Sequence, residues 1–291
     1  MDRYIQKPSI SCCKYCNSTN IVKYGTFQGM QRYFCKNCRR KFADNDAIPK
    51  MKTPIWIISL ALNCYYDGMS LGTIQKEINQ RHGAYYAQSS IYNWIIRFSA
   101  EAIKQSEIFR PEVNDTWLLC STPISTGNRR FWFFDIFDIA SQFLLASLLS
   151  ETGTVQEAIG LINSTRFKTR KTLNHPITVI VSGIFNGNKP TNKTEQLKQA
   201  NQFILVKAAG YRTEEFDELL KRRNRVVHSF NSTTKAQILT GAWSVHYNYI
   251  SMNDSSRHIP PAQKVGKPSF RNWSDIISRS FIKTEFSRDK I

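Results

Sequence analysis

Arg130-Phe131-Trp132-Phe133-Phe134-Asp135-Ile136-Phe137-Asp138 is followed, after three residues, by Gln142-Phe143-Leu144-Leu145-Ala146-Ser147-Leu148-Leu149. Both runs are short, apolar and rich in aromatic or aliphatic residues, the composition of buried strands. Thr116-Trp117-Leu118-Leu119-Cys120 is a third such run just upstream. Downstream, Thr154 to Ile162 has a helical pattern, and Ile177-Thr178-Val179-Ile180-Val181-Ser182 is a β-branched run suited to a buried parallel strand. A helix around Glu195 to Ala200, a strand Gln202-Phe203-Ile204-Leu205-Val206 and a long helix from Ser232 to Tyr249 complete the series.

Three strands, helix, strand, helix, strand, helix is the element order of a ribonuclease-H-like α/β fold, expected here over residues 111–266. Ahead of it, Pro49 and Pro54 mark a linker, and Ile55-Trp56-Ile57-Ile58-Ser59-Leu60-Ala61-Leu62 starts a helix. Gly68 breaks that helix and Ser70 can cap the next, Leu71 to His82. A third runs from Gln88 to Phe98, with Ile91, Trp94, Ile95 and Phe98 on one buried face. Three short helices over residues 47–110 read as a helix-turn-helix whose third helix exposes Gln88, Ser89, Tyr92, Asn93 and Arg97 to DNA. A plain three-helix connector is the competing reading.

At the N-terminus, Cys13-Lys14-Tyr15-Cys16 and Cys35-Lys36-Asn37-Cys38 have the spacing of a tetrahedral Zn²⁺ site, so residues 1–46 are expected to be a zinc ribbon. Cys13, Cys16, Cys35 and Cys38 are the expected ligands, with Cys12 a spare. Asn20 to Gly25 and Gln31 to Phe34 alternate like two strands around a turn. From Lys14 to Lys41 there are seven Lys/Arg and no Asp or Glu, with Tyr24, Phe27, Tyr33 and Phe34 interleaved. That pattern points to nucleic acid, with Lys23, Arg32, Arg39, Arg40 and Lys41 as candidate contacts. A metal that only staples a small module is compatible with the same residues.

The whole chain of 291 residues carries 40 Lys/Arg against 22 Asp/Glu, a net charge of +18. Residues 1–110 hold 16 basic and 7 acidic residues, half of that excess. A polyanion partner follows, and aromatic interleaving favours nucleic acid over a membrane surface; double-stranded DNA is the expected partner, and a solvated basic face with no partner is the competing reading. No run approaches the roughly 20 apolar residues that span a bilayer, and no secretory signal precedes the first knuckle. Seven cysteines, four in a metal motif, fit a reducing compartment, so a cytoplasmic, nucleoid-associated protein is expected.

These residues resemble the DDE transposases of insertion sequences, a family with a zinc ribbon, a helix-turn-helix and a ribonuclease-H-like integrase core. The resemblance runs from about Cys13 to Gly266. It rests on Cys13, Cys16, Gly25, Gln31-Arg32-Tyr33, Cys35, Cys38 and Phe42 in the ribbon, with Lys14 where the family has Pro. Near the C-terminus it rests on His246-Tyr247-Asn248-Tyr249-Ile250 and Pro260-Pro261-Ala262, similar to the family's Tyr-Tyr-Asn-Phe-Ile and Thr-Pro-Ala. The resemblance implies transposition chemistry on three carboxylates that hold two divalent ions about 4 Å apart, and a homodimer that synapses two DNA ends.

At the matching positions this chain departs from the family. Trp117-Leu118-Leu119-Cys120 puts Cys120 where the first Asp belongs, Val179-Ile180-Val181-Ser182-Gly183 puts Ser182 at the second, and Asn224 to Phe230 puts His228 at the Glu. Mg²⁺ needs hard oxygen ligands, so this set predicts a catalytically inactive DNA-binding protein, a regulator or architectural derivative of a transposase. The alternative is an active enzyme with displaced ligands, which would require Mg²⁺. Asp135, Asp138 and the acids Glu214, Glu215, Asp217 and Glu218 offer no evident converging set. A Cys/His or Ser/His nucleophile, or a Zn²⁺ held by Cys120 and His228, are further alternatives. In the tail, 267–291, Trp273, Ile276, Ile277 and Phe281 have helical spacing.

Overall fold

The computed structural model describes residues 10–45, 47–49, 51–83, 85–126, 129–171, 175–183, 204–207, 223, 232–250 and 259–286. The chain forms two compact units, residues 1–60 with 274–291, and residues 61–273. His228, the helix expected around residues 195–200, the acids at 214–218 and the side chain of Ser182 lie outside the described residues.

In the first unit, β1 (Ile21–Phe27), β2 (Met30–Cys35) and β3 (Lys41–Ala43) form an antiparallel ribbon in that order. Gln28 and Gly29 both have positive φ (49° and 73°), which a two-residue hairpin turn of matching twist requires. Strand alternation sends Ile21, Tyr33 and Phe42 inward onto Cys13 and Cys35, a core small enough to need a staple. Lys14 is part of that staple. Its ammonium donates to the Asn45 carbonyl (3.0 Å), the Asn45 side chain (2.6 Å) and the Ala47 carbonyl (3.0 Å).

The second unit is built on a five-stranded sheet in the order β6-β5-β4-β7-β8. Its strands are β4 (Thr116–Thr126), β5 (Arg129–Asp138), β6 (Leu144–Ser150), β7 (Thr178–Gly183) and β8 (Ile204–Lys207). The first three are antiparallel, while β7 and β8 run parallel to β4. A crossover helix, α4 (Val155–Lys168), joins β6 to β7. This is the ribonuclease-H-like topology. Trp117, Leu119, Phe134, Ile136, Val179 and Val181 face α4 and form one core with Val155, Ala158, Leu161 and Ile162.

The opposite face meets a helix, α5 (Thr233–Val245), that widens into a π-turn, His246–Ile250. Tyr247 packs edge-on to Phe137, and the Asn248 amide clamps the edge strand, accepting from the Leu144 N–H (2.9 Å) and donating to its carbonyl (2.8 Å). β4 runs six residues beyond the expected strand and includes Pro123. Pro123 pairs with Trp132 past the last residue matched by β7, so that part of β4 is an edge and needs no further ladder donor.

Three helices precede the sheet: α1 (Ile55–Tyr66), α2 (Leu71–His82) and α3 (Gln88–Ser106). α3 continues two turns past Phe98 because its buried face goes on with small residues. Ser99 and Ala102 are buried, and Ser99 bonds Tyr66 through its hydroxyl (2.5 Å). Gly241 admits α3 close to α5, since a Cβ there would lie 2.9 Å from Ile103. Short helices α6 (Pro261–Lys264) and α7 (Trp273–Phe286) follow, the latter matching the periodicity of the tail.

Candidate functional site

Among the described residues, two places bear on the chemistry that the sequence led us to expect. The first is a polar row across the sheet. Register aligns Ser147 on β6 with Asp135 on β5, Asp135 with Cys120 on β4, and Cys120 with Ser182 on β7. The two strand positions singled out as degenerate, Cys120 and Ser182, are therefore cross-strand neighbours. Cys120 is buried and sits on the face away from α4, beside Asp135.

Sequence reasoning does not place Asp135 in this row. It is fully buried, and a carboxylate in that environment requires a partner. Both oxygens are engaged, Oδ1 by the Ser147 hydroxyl (2.6 Å) and Oδ2 by the guanidinium of Arg223, itself fully buried. Arg223 lies over the ring of Phe133, 3.9 Å from its centroid, with Trp243 of α5 at 5.7 Å. Among the described residues, its Nε and second Nη have no hydrogen-bond partner. The row thus contains a thiol, hydroxyl-bearing residues and one carboxylate already neutralised by an internal cation. These groups do not fit Mg²⁺, which takes hard, available oxygens. Asp138, further along the same strand, is a structural group. It accepts from the Asn114 N–H (3.0 Å), the Ser141 N–H (2.9 Å) and the Ser141 hydroxyl (2.5 Å), fixing the β5–β6 turn.

The second place is the ribbon's cysteine cluster. The sulfurs of Cys13, Cys16, Cys35 and Cys38 all lie within 4.8 Å of one another, the one such group of metal-binding side chains among the described residues. Cys13 and Cys38 are 3.7 Å apart and Cys16 and Cys35 3.6 Å. Four sulfurs about 2.3 Å from a tetrahedral ion stand roughly 3.8 Å apart, so the cluster fits Zn²⁺. Burial pushes the Cys13 thiol up to about 12. At Cys35 burial also acts upward, but the N–H groups of Cys38 and Asn37 and the Cys16 and Cys38 side chains outweigh it and bring the thiol to about 7. Cys12 lies outside the cluster.

Around the cluster, Lys23, Arg39, Arg40 and Lys41 are exposed and Arg32 is half-buried. Arg40 stacks on Tyr15 (5.0 Å), and Lys41 lies 4.0 Å from the centroid of the Tyr24 ring. In the other unit, Gln88, Ser89, Asn93 and Arg97 are exposed along α3, spaced so that Ser89, Asn93 and Arg97 share a face. Tyr92 differs from expectation. It is half-buried, with Lys235 of α5 over its ring at 5.4 Å, a basic neighbour that the local sequence pattern around α3 does not reveal. Ser70 caps α2 by accepting from the Thr73 N–H (3.2 Å), and the α2–α3 turn is held by Gln75 donating to the Tyr86 carbonyl (2.7 Å) and Tyr86 donating to Asn79 (3.0 Å).

No protein-family model matches the chain, and no curated protein matches it. Among solved structures it is similar to the HTLV-2 integrase catalytic core domain in complex with magnesium, with 13% identity over 53% of this chain and 97% of that one (TM-score 0.37). It is also similar to a chain of the simian T-cell lymphotropic virus intasome, with 12% identity over 73% and 74% of the two chains (TM-score 0.38). A pre-cleavage Mos1 transpososome matches with 9% identity over 82% and 80% (TM-score 0.29). The ribonuclease-H-like assignment stands on the strand order and register given above.

Proposed function

We propose that this chain is a DNA-binding protein of transposase architecture that does not carry out strand transfer. The observation that carries this reading is the polar row. Its central position holds the Cys120 thiol, and the adjacent carboxylate, Asp135, is bound by Arg223 instead of being open to a divalent ion. Residues 1–46 act as a zinc ribbon in which Cys13, Cys16, Cys35 and Cys38 hold Zn²⁺. Four protein sulfurs leave no open coordination position, so the ion's contribution is to fold the ribbon. Residues 47–110 act as a helix-turn-helix, with Gln88, Ser89, Tyr92, Asn93 and Arg97 reading the major groove and the ribbon's Lys23, Arg32, Arg39, Arg40 and Lys41 contacting phosphates of double-stranded DNA. Residues 111–266 serve as the scaffold and, by resemblance, as the pairing surface of a homodimer. Within the row, Ser147 and Arg223 hold Asp135 as an ion pair, which removes the negative charge a second metal ion would need.

A gel assay of the full chain on labelled duplex DNA, with and without Mg²⁺ or Mn²⁺, tests this. The expected result is a retarded band and no cleavage with either metal. Nicking that needs the metal and stops with EDTA would overturn the inactive reading in favour of an enzyme with displaced ligands. Failure to retard duplex at low salt would overturn DNA binding itself.

A further inference from the structure

The ribbon's sheet has a second face that neither the cysteine cluster nor its small core uses. Val22 pairs with Phe34 and Phe34 with Lys41, so these three form a row pointing away from Cys13 and Cys35, and alternation places Arg32 on the same side. The irregularity between Lys23 and Thr26, at Gly25 (φ 84°), leaves the ring of Tyr24 6.1 Å from that of Phe34. Val22, Tyr24, Phe27 and Met30 are 37, 47, 62 and 39% exposed. They are four of the ten large hydrophobic residues exposed in the described chain, gathered within nine positions. A cluster of this kind on a surface marks contact with something.

The surrounding charge limits what that is. No acid lies between Lys14 and Ala43, and Lys41 both covers the Tyr24 ring and donates to its hydroxyl (2.5 Å). Flat aromatic rings flanked by cations on a strand surface match the two parts of an unpaired nucleotide, a free base face and a phosphate. In a duplex the base faces are covered by their neighbours, so exposed rings would find only edges and sugars. We infer that the outer face of the ribbon, formed by Tyr24, Phe34, Arg32 and Lys41 with Phe27 at the hairpin tip, stacks unpaired bases of single-stranded DNA. The inference rests on the DNA-binding reading above and adds the strandedness of the ribbon's ligand.

The test is fluorescence anisotropy of the full chain on labelled oligothymidylate and on a labelled duplex of equal length. Tyr24→Ser, Phe27→Ser and Tyr24→Phe are compared with the parent, with zinc content measured as a check on ribbon folding. Removing each ring should weaken single-strand binding by about 5- to 150-fold, the range of one stacked base, while zinc content holds and duplex affinity falls much less, by no more than the loss of the brace that Tyr24 gives Lys41. Tyr24→Phe, which keeps the ring, should retain single-strand affinity. Binding of the parent to duplex alone, or equal weakening on both ligands, would overturn this inference and leave the DNA-binding reading standing. Binding of neither ligand would remove both.

Discussion

Asp135 shows how much one buried charge can decide. In the strand Phe133-Phe134-Asp135-Ile136-Phe137 it interrupts an otherwise apolar run, and a carboxylate there is costly unless compensated. Arg223 supplies the compensation from 88 residues away. Arg223→Met should therefore destabilise the chain by about 3–5 kcal/mol, because it strands the carboxylate in a dry environment. The double variant Arg223→Met/Asp135→Leu should recover most of that stability, since it removes both charges together. Urea unfolding of the two singles and the double measures the coupling; additive costs would mean that the two groups do not hold each other. The place of Asp135 on its strand was legible in the sequence. Its burial and its partner were not, because long-range pairing leaves no local signal, and Cys120 at the neighbouring position could be read only through its strand frame.

At the level of single elements, punctuation decided what could be read. α2 begins and ends where Ser70 and Gly83 say it should, since a side-chain cap and a left-handed glycine are local chemistry. α3 lacks a stop signal after Phe98, and its continuation depends on how closely α5 approaches, which is tertiary information. α4 carries the strongest cap. Thr154 and Glu157 form a reciprocal capping box, and the Glu157 carboxylate also accepts from Ser150 (2.8 Å) and Thr152 (2.7 Å). Burial acts to raise the Glu157 carboxyl, but the hydrogen bonds from Thr152, the Thr154 backbone, Ser150 and the Thr154 hydroxyl prevail and lower it to about 2. A depressed folded-state value contributes stability that is fully present above the ordinary carboxyl range and fades as pH falls toward 2. Glu157→Gln should then cost about 0.5–2 kcal/mol near neutral pH, with the gap to the parent closing between pH 4.5 and 2. Thermal unfolding of both proteins across that range checks it. A pH-independent gap would assign the cost to poorer packing around Ser150 and Thr152.

Across the whole molecule, the excess of positive charge is divided between a ribbon with no acid from Lys14 to Ala43 and a larger unit whose conspicuous buried cation, Arg223, is spent internally. Charge that is spent on structure cannot also release counterions from DNA, so a net charge of +18 overstates what is available for binding. Lys14 makes the same point within the ribbon, where its ammonium is committed to Asn45 and Ala47. By contrast Arg39, Arg40 and Lys41 are exposed, and Arg40 and Lys41 are braced against Tyr15 and Tyr24, so ordering them on a phosphate backbone forfeits less side-chain freedom. Replacing all three by Gln should weaken duplex binding alike for every sequence. It should also flatten the dependence of log affinity on log salt by up to about 0.9 for each phosphate left without its cation. Anisotropy titrations from low to physiological salt read both effects. A triple variant with reduced affinity but an unchanged slope would mean that these side chains act through the fold of the ribbon, and a variant changed in neither would remove them from the interface.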